Sequence, residues 1–147
     1  GIVACAKENI ALNGLENLPV RYIVDDCRKF VEREIRRGNK YDGIIMDPPS
    51  YGRGPGGEVW KLEDCVCELV SLCEKLLSDD ALFMLINSYT TGLSALTMGY
   101  VLDIYVTKKH GGHSETGELA LPVKQSGCFL PCGSSARWTS EKEEDIR

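Results

Sequence analysis

Tyr41-Asp42-Gly43-Ile44-Ile45-Met46-Asp47-Pro48-Pro49-Ser50 is the stretch that decides how this chain reads. Gly43 to Met46 is an apolar run without alternation, the pattern of a strand covered on both faces, as in a parallel sheet. The run stops abruptly at Asp47. Pro48 and Pro49 fix φ and remove two N–H donors, so a carboxylate and stiff carbonyls converge where the strand ends. Such an acceptor-only surface suits an amine donor or a cation. A plain strand-ending turn would use the same residues, and on this stretch alone both readings stay open.

Upstream, Asp25 and Asp26 stand at N-cap positions before a helix that carries Phe30, Val31 and Ile35 inward and stops at Gly38. Before it come a strand candidate, Val20 to Val24, and a first helix from Ile2 to Asn13, with Ile2, Ala6 and Ile10 on one face and Gly14 to end it. Downstream, a Gly-rich loop runs through Gly57, and a helix from Lys61 to Leu77 shows a broad apolar face. Ala81 to Asn87 reads as a second fully buried strand. A short helix over Leu93–Met98 leads to a third strand, Tyr100 to Thr107. Lys108 to Pro122, with His110 and His113 flanking Gly111-Gly112, reads as a mobile surface loop, and Gly127 to Leu130 is the last strand. Buried strands alternating with amphipathic helices predict an α/β, Rossmann-like doubly wound sheet, mostly parallel. The last two strands, with no helix between them, predict a C-terminal antiparallel hairpin.

The composition sets bounds on this reading. At 147 residues, with 43% hydrophobic and 27% charged residues, the chain is of one-domain length, too apolar for disorder and too polar for a membrane protein. No apolar run approaches the roughly 18–20 residues that span a bilayer. The net charge of -5 argues against non-specific nucleic-acid binding by this segment. Arg28, Lys29, Arg33, Arg36 and Arg37 read as a solvated helix face. Of seven cysteines, Cys5, Cys27, Cys65, Cys67 and Cys73 sit in apolar periodic stretches as small hydrophobes, and no spacing makes a metal site. Reduced, structural thiols predict a cytoplasmic protein. Residues 1–138 are expected to form the folded part and 139–147 a charged, disordered tail.

In open parallel sheets ligands bind beyond the carboxyl ends of the strands. Three such ends put polar groups there: Asp25-Asp26, Asp47 to Ser50, and Asn87-Ser88-Tyr89. Taken in order, an acid at Asp26, then Tyr41 to Ser50, then Leu82-Phe83-Met84-Leu85-Ile86-Asn87-Ser88-Tyr89, and finally Leu130 to Trp138, the chain resembles class I S-adenosylmethionine-dependent methyltransferases. Within them it is most similar to bacterial (23S) ribosomal-RNA large-subunit methyltransferases.

The resemblance implies S-adenosylmethionine as cofactor, with Asp26 holding the adenine amino group and Cys27 beside the ring. It implies that Asp47, Pro48 and Pro49 line the methyl-transfer site, Asp47 also touching the cofactor, and that Ser50, Tyr51 and Asn87 face the substrate. In amino-group methyltransferases an aromatic residue follows the two prolines; here Ser50 holds that place and Tyr51 comes one position late. Carbon methylation of cytosine would need a cysteine nucleophile at a strand end. Residues 47–60 and 87–92 contain none, which leaves a nitrogen or oxygen of RNA, ribosomal RNA first, as the acceptor. The alternatives are a methyltransferase of small molecules or protein side chains, and a non-catalytic α/β assembly module.

The resemblance further implies that the family's first two strands, with the glycine-rich turn, are not in this sequence. The chain is then the C-terminal part of a catalytic domain, of low cofactor affinity and inactive in isolation. The strand at Gly43–Met46 would have a bare edge. Either Val20–Val24 closes against it, or two chains pair there as a homodimer.

Overall fold

The computed structural model describes residues 1–54 and 56–140. The chain divides into two compact units, Gly1–Phe30 and Val31 onward. The tail expected from residue 139 falls almost wholly outside the described residues. None of the described helices is long and apolar enough to cross a membrane.

The first unit holds helix α1 (Ile2–Leu12), none of whose residues is buried, so the predicted helix forms but its apolar stripe stays uncovered. Gly14, at φ 66°, carries the chain out of it. Residues 20–24 form no strand, contrary to expectation. The run pairs with no strand among the described residues, and an extended segment without a partner is not stable as a strand. Helix α2 (Cys27–Arg37) starts where expected: Asp26 Oδ1 accepts the Lys29 N–H at 3.0 Å, an N-cap. It ends with Gly38 at φ 70°, where the N–H groups of Gly38 and Asn39 return to the carbonyls of Ile35 and Glu34.

The second unit is built on a four-stranded sheet. Its strands are β1 (Gly43–Met46), β4 (Phe83–Ser88), β5 (His113–Pro122) and β6 (Phe129–Thr139), in the order β1-β4-β6-β5. β1 runs parallel to β4; β6 is antiparallel to both β4 and β5. Between β1 and β4 lie a small hairpin, β2 (Tyr51–Arg53) with β3 (Val59–Lys61), and helix α3 (Leu62–Glu74). The hairpin replaces the expected glycine-rich loop: its strands flank a turn in which the Gly57 N–H bonds the Gly54 carbonyl. Helix α4 (Ala95–Leu102) continues through a π-helical turn (Asp103–Thr107) into α5 (Lys108–His110). One face of the sheet carries the core, where Met46, Met84, Ile86, Ala136 and Trp138 are buried with Leu62, Val66 and Val70 of α3 and Met98, Val101 and Leu102 of α4.

Several expectations fail for physical reasons. Tyr100–Thr107 is helical, not a strand. Met98, Val101, Leu102 and Val106 are all buried, and that spacing of three to four residues puts them on one helical face, overriding the β-branched composition. Lys108–Pro122 is not a mobile loop: it finishes the helix and then forms edge strand β5, whose mostly exposed side chains carry no hydrophobic signal. The C-terminal antiparallel hairpin exists, but it joins β5 to β6. Nor is β1 covered on both faces, since Ile45 is 70% exposed. β1 hydrogen-bonds to β4 alone and keeps one edge open among the described residues. Of the five cysteines read as core, only Cys73 is buried; Cys5, Cys27 and Cys67 are exposed.

Two buried carboxylates fasten the amino-terminal end of the sheet. Glu34 of α2 is fully buried and accepts hydrogen bonds from Tyr41 Oη at 2.6 Å, Asn39 Nδ2 at 2.7 Å and an Arg37 Nη at 2.8 Å. Glu74 of α3 takes Lys109 Nζ at 2.6 Å and faces His110 Nε2 at 2.9 Å. The His110 ring stands edge-on to Trp138 at 5.8 Å, and Trp138 Nε1 donates to the Gly111 carbonyl at 2.7 Å. His110 is thereby tied into the packing, on no loop of the kind expected. Burial pushes the Glu74 carboxyl up, but the bonds from Lys109 and His110 outweigh it and hold the group below the usual range.

Tyr41, Asn39 and Arg37 hold Glu34 down from its usual 4.5 to about 2. A depressed carboxylate contributes stability that is complete above pH about 4.5 and lost as pH falls toward about 2. Glu34→Gln is therefore expected to lower Tm at pH 7 and to flatten the fall of Tm between pH 4.5 and 2.5, as read by circular dichroism; an unchanged acid slope would count against this assignment. Gly112 has φ 74°, and a Cβ there would collide with the Thr139 carbonyl oxygen. Gly112→Ala is expected to destabilise by roughly 1–3 kcal/mol, measured by urea unfolding.

Candidate functional site

The carboxyl ends of β1 and β4 lie side by side. β1 finishes at Met46, opposite Ile86, while β4 continues through Asn87 and Ser88, which pair instead with Ser135 and Ser134 of β6. Asp47 and Asn87 thus leave neighbouring, in-register positions. Asp47 is exposed, and its carboxylate takes no hydrogen bond among the described residues. Pro48 is half-buried and Pro49 exposed.

The expected row of free carbonyls after Asp47 is only partly there. Trp60 Nε1 donates to the Pro49 carbonyl at 2.7 Å, and the Leu62 N–H donates to the Ser50 carbonyl at 3.0 Å. Two of those acceptors are therefore spent inside the protein, tying the loop to β3 and to the first turn of α3. What remains outward is the Asp47 carboxylate on a stiff support. Tyr51 opens β2 as a half-exposed residue, and its hydroxyl accepts a hydrogen bond from Arg53 Nε at 2.8 Å. Asn87 is half-buried, with no side-chain partner among the described residues.

Asp26 and Cys27 belong to the first unit. One Asp26 oxygen caps α2, leaving the other without a partner among the described residues, and Cys27 is exposed. Because no strand precedes it, Asp26 does not mark a strand end. The structure thus brings Asp47, Pro48, Pro49, Ser50, Tyr51 and Asn87 to one pair of strand ends, and sets Asp26 and Cys27 at a helix start.

Sequence reasoning missed the bond of Trp60 to Pro49, which depends on the β2–β3 hairpin. It also missed the turn after β4. There the Thr90 N–H bonds Ser88 Oγ at 3.1 Å, while Thr90 Oγ1 is buried without a partner among the described residues. No local pattern marks these positions.

With this geometry in hand, comparison with known proteins is informative. No family model matches the chain. The structure of a SAM-dependent methyltransferase from Agrobacterium tumefaciens superposes with a TM-score of 0.83 and 36% identity, over 95% of this chain and 46% of that one. SMU.776, a protein described as a methyltransferase and solved in complex with SAH, shares the fold at a TM-score of 0.62 and 18% identity, over 90% of this chain and 36% of that one. Among curated proteins, Ribosomal RNA large subunit methyltransferase I of Klebsiella pneumoniae (strain 342) is 37% identical over 46 residues, 31% of this chain. Ribosomal RNA large subunit methyltransferase K/L of Shewanella frigidimarina (strain NCIMB 400) is 31% identical over 84 residues, 56% of this chain. The chain matches only 12% of the length of each of these two curated relatives.

The chain has the fold of S-adenosylmethionine-dependent methyltransferases. Over part of its length it is homologous to bacterial ribosomal RNA large subunit methyltransferases.

Trp60→Phe keeps the ring but removes the donor to Pro49. It is expected to cost about 1 kcal/mol in denaturant unfolding, and to speed amide hydrogen exchange in residues 50–52 without altering exchange in β5.

Proposed function

We propose that this chain supplies the methyl-transfer face of a methyltransferase acting on a nitrogen or oxygen of RNA, ribosomal RNA first. The observation that carries the reading is the Asp47 carboxylate, unpartnered among the described residues, on a loop pinned by Trp60 and Leu62; Asp47 and Asn87 each follow directly on the Met46–Ile86 pair. The partial homology to ribosomal RNA methyltransferases supports the substrate class.

The residues present fit S-adenosylmethionine: an outward carboxylate that spends no oxygen on the protein suits amine donors and a nearby positive centre. When bound, that cofactor supplies a methyl group already activated on a sulfonium.

The protein's own task is then positional. Asp47 accepts an N–H or O–H from the acceptor and aims its lone pair. Pro48 and Pro49 keep that carboxylate from drifting. Asn87, with both a donor and an acceptor, reads the edge of the acceptor group, and Ser50 and Tyr51 border the entry. The positively charged contacts that RNA needs come from outside this acidic segment. The open edge of β1 makes pairing between two copies of the chain part of the same reading.

Transfer of tritiated methyl groups to ribosomal RNA by the protein carrying these residues is the test. Asp47→Asn, which keeps size and removes charge, is expected to reduce the rate at least about a hundredfold with Tm unchanged. Full activity in that variant, or labelling of protein or small molecules in place of RNA, would overturn the reading.

A further inference from the structure

The turn after β4 presents Tyr89, 54% exposed as a residue, although it leaves a strand whose Met84 and Ile86 are fully buried. The ring is not loose. A Cβ added to Gly133 of β6 would lie 2.8 Å from Tyr89 Cδ1, 2.9 Å from its Cε1 and 2.9 Å from the Ser88 carbonyl oxygen, so the ring edge occupies the space that any larger residue would fill.

β6 is also irregular at this point. Leu119 of β5 pairs with Gly133 but Ala120 pairs with Pro131, leaving Cys132 as an extra residue. Bulges of this kind re-aim a strand locally and are enriched beside active sites. The missing side chain of Gly133, next to this bulge in β6, therefore seats one aromatic ring. That ring lies two residues beyond Asn87, at the strand ends that carry Asp47.

We infer that Tyr89 is a stacking platform for the planar base that accepts the methyl group, with Gly133 as its seat. The inference rests on the RNA reading above and adds the group that grips the base. A ring held along one edge and open elsewhere loses little freedom when a base stacks on it, and any base offers a π-face. Stacking would hold the base plane, leaving Asp47 and Asn87 to meet its polar edge.

Fluorescence anisotropy with four labelled oligoribonucleotides of 12 nucleotides (about one site's length), one for each base, tests this. The wild-type protein that carries these residues together with its RNA-contacting parts is expected to bind at least one. Tyr89→Phe should stay within about twofold, while Tyr89→Leu and Tyr89→Ala should each weaken binding about tenfold, the usual worth of one base–aromatic stack. Gly133→Ala should weaken binding by displacing the ring while Tyr89 itself is intact. Unfolding midpoints of all variants are measured alongside. Equal binding by wild type and Tyr89→Leu would overturn this inference and leave the RNA reading standing. A loss in Tyr89→Phe as large as in Tyr89→Leu would overturn it too, because the hydroxyl rather than the ring would then carry the contact. Failure of wild type to bind any of the four would overturn the RNA reading and this inference with it.

Discussion

The parallel pairing of Gly43–Met46 with Phe83–Ile86 sets where everything else in the second unit can go. A strand's side chains alternate, so a slip of one residue would turn Met84 and Ile86 out of the core and Leu85 and Asn87 in. The burial of Met46, Met84 and Ile86 makes that slip costly, each large apolar side chain representing roughly 1.5–3 kcal/mol. The entry to the pair is fastened as well: the Leu82 N–H donates to the Asp42 carbonyl at 2.6 Å, and the Ser78 N–H to that of Tyr41 at 3.0 Å. With register fixed, Asp47 and Asn87 emerge together.

The two ends of this sheet are treated differently. The amino-terminal end of β1 and β4 holds the saturated charge clusters: Glu34 with Tyr41, Asn39 and Arg37, and Glu74 with Lys109 and His110. Buried carboxylates are tolerable there because each has several donors, and removing a donor would leave charge without solvent. The carboxyl end has the opposite character. Among the described residues the side chains of Asp47 and Asn87 lack partners and Thr90 Oγ1 is buried unsatisfied, while Tyr51 and Tyr89 are exposed. Groups left uncommitted in this way are the ones the proposed function uses, and the saturated clusters lie at the other end.

Between these ends, the loop after β1 is stiff without being self-contained. Prolines alone would fix φ at two positions and leave the following carbonyls free to turn. Trp60 and Leu62 remove that freedom from outside, through a hairpin and a helix start that lie further along the chain. A carboxylate that accepts from an incoming group loses less entropy when its own support does not move.

Local sequence determined the helices at Ile2–Leu12, Cys27–Arg37 and Leu62–Glu74, strand β1 and most of β4, and the site stretch from Asp47 to Tyr51. In each of these, caps, apolar spacing or twin prolines act within a few residues. Tertiary structure alone decided the rest. Val20–Val24 has strand composition but pairs with no strand among the described residues, and it stays irregular. Tyr100–Thr107 has the same composition, yet buried positions at helical spacing make it a helix. His113–Pro122 is polar because an edge strand faces water, and it becomes a strand only because β6 supplies a partner. The seat that Gly133 gives Tyr89, and the bond from Trp60 to Pro49, join residues 44 and 11 positions apart. No window of sequence contains such pairs until the sheet and hairpin have formed.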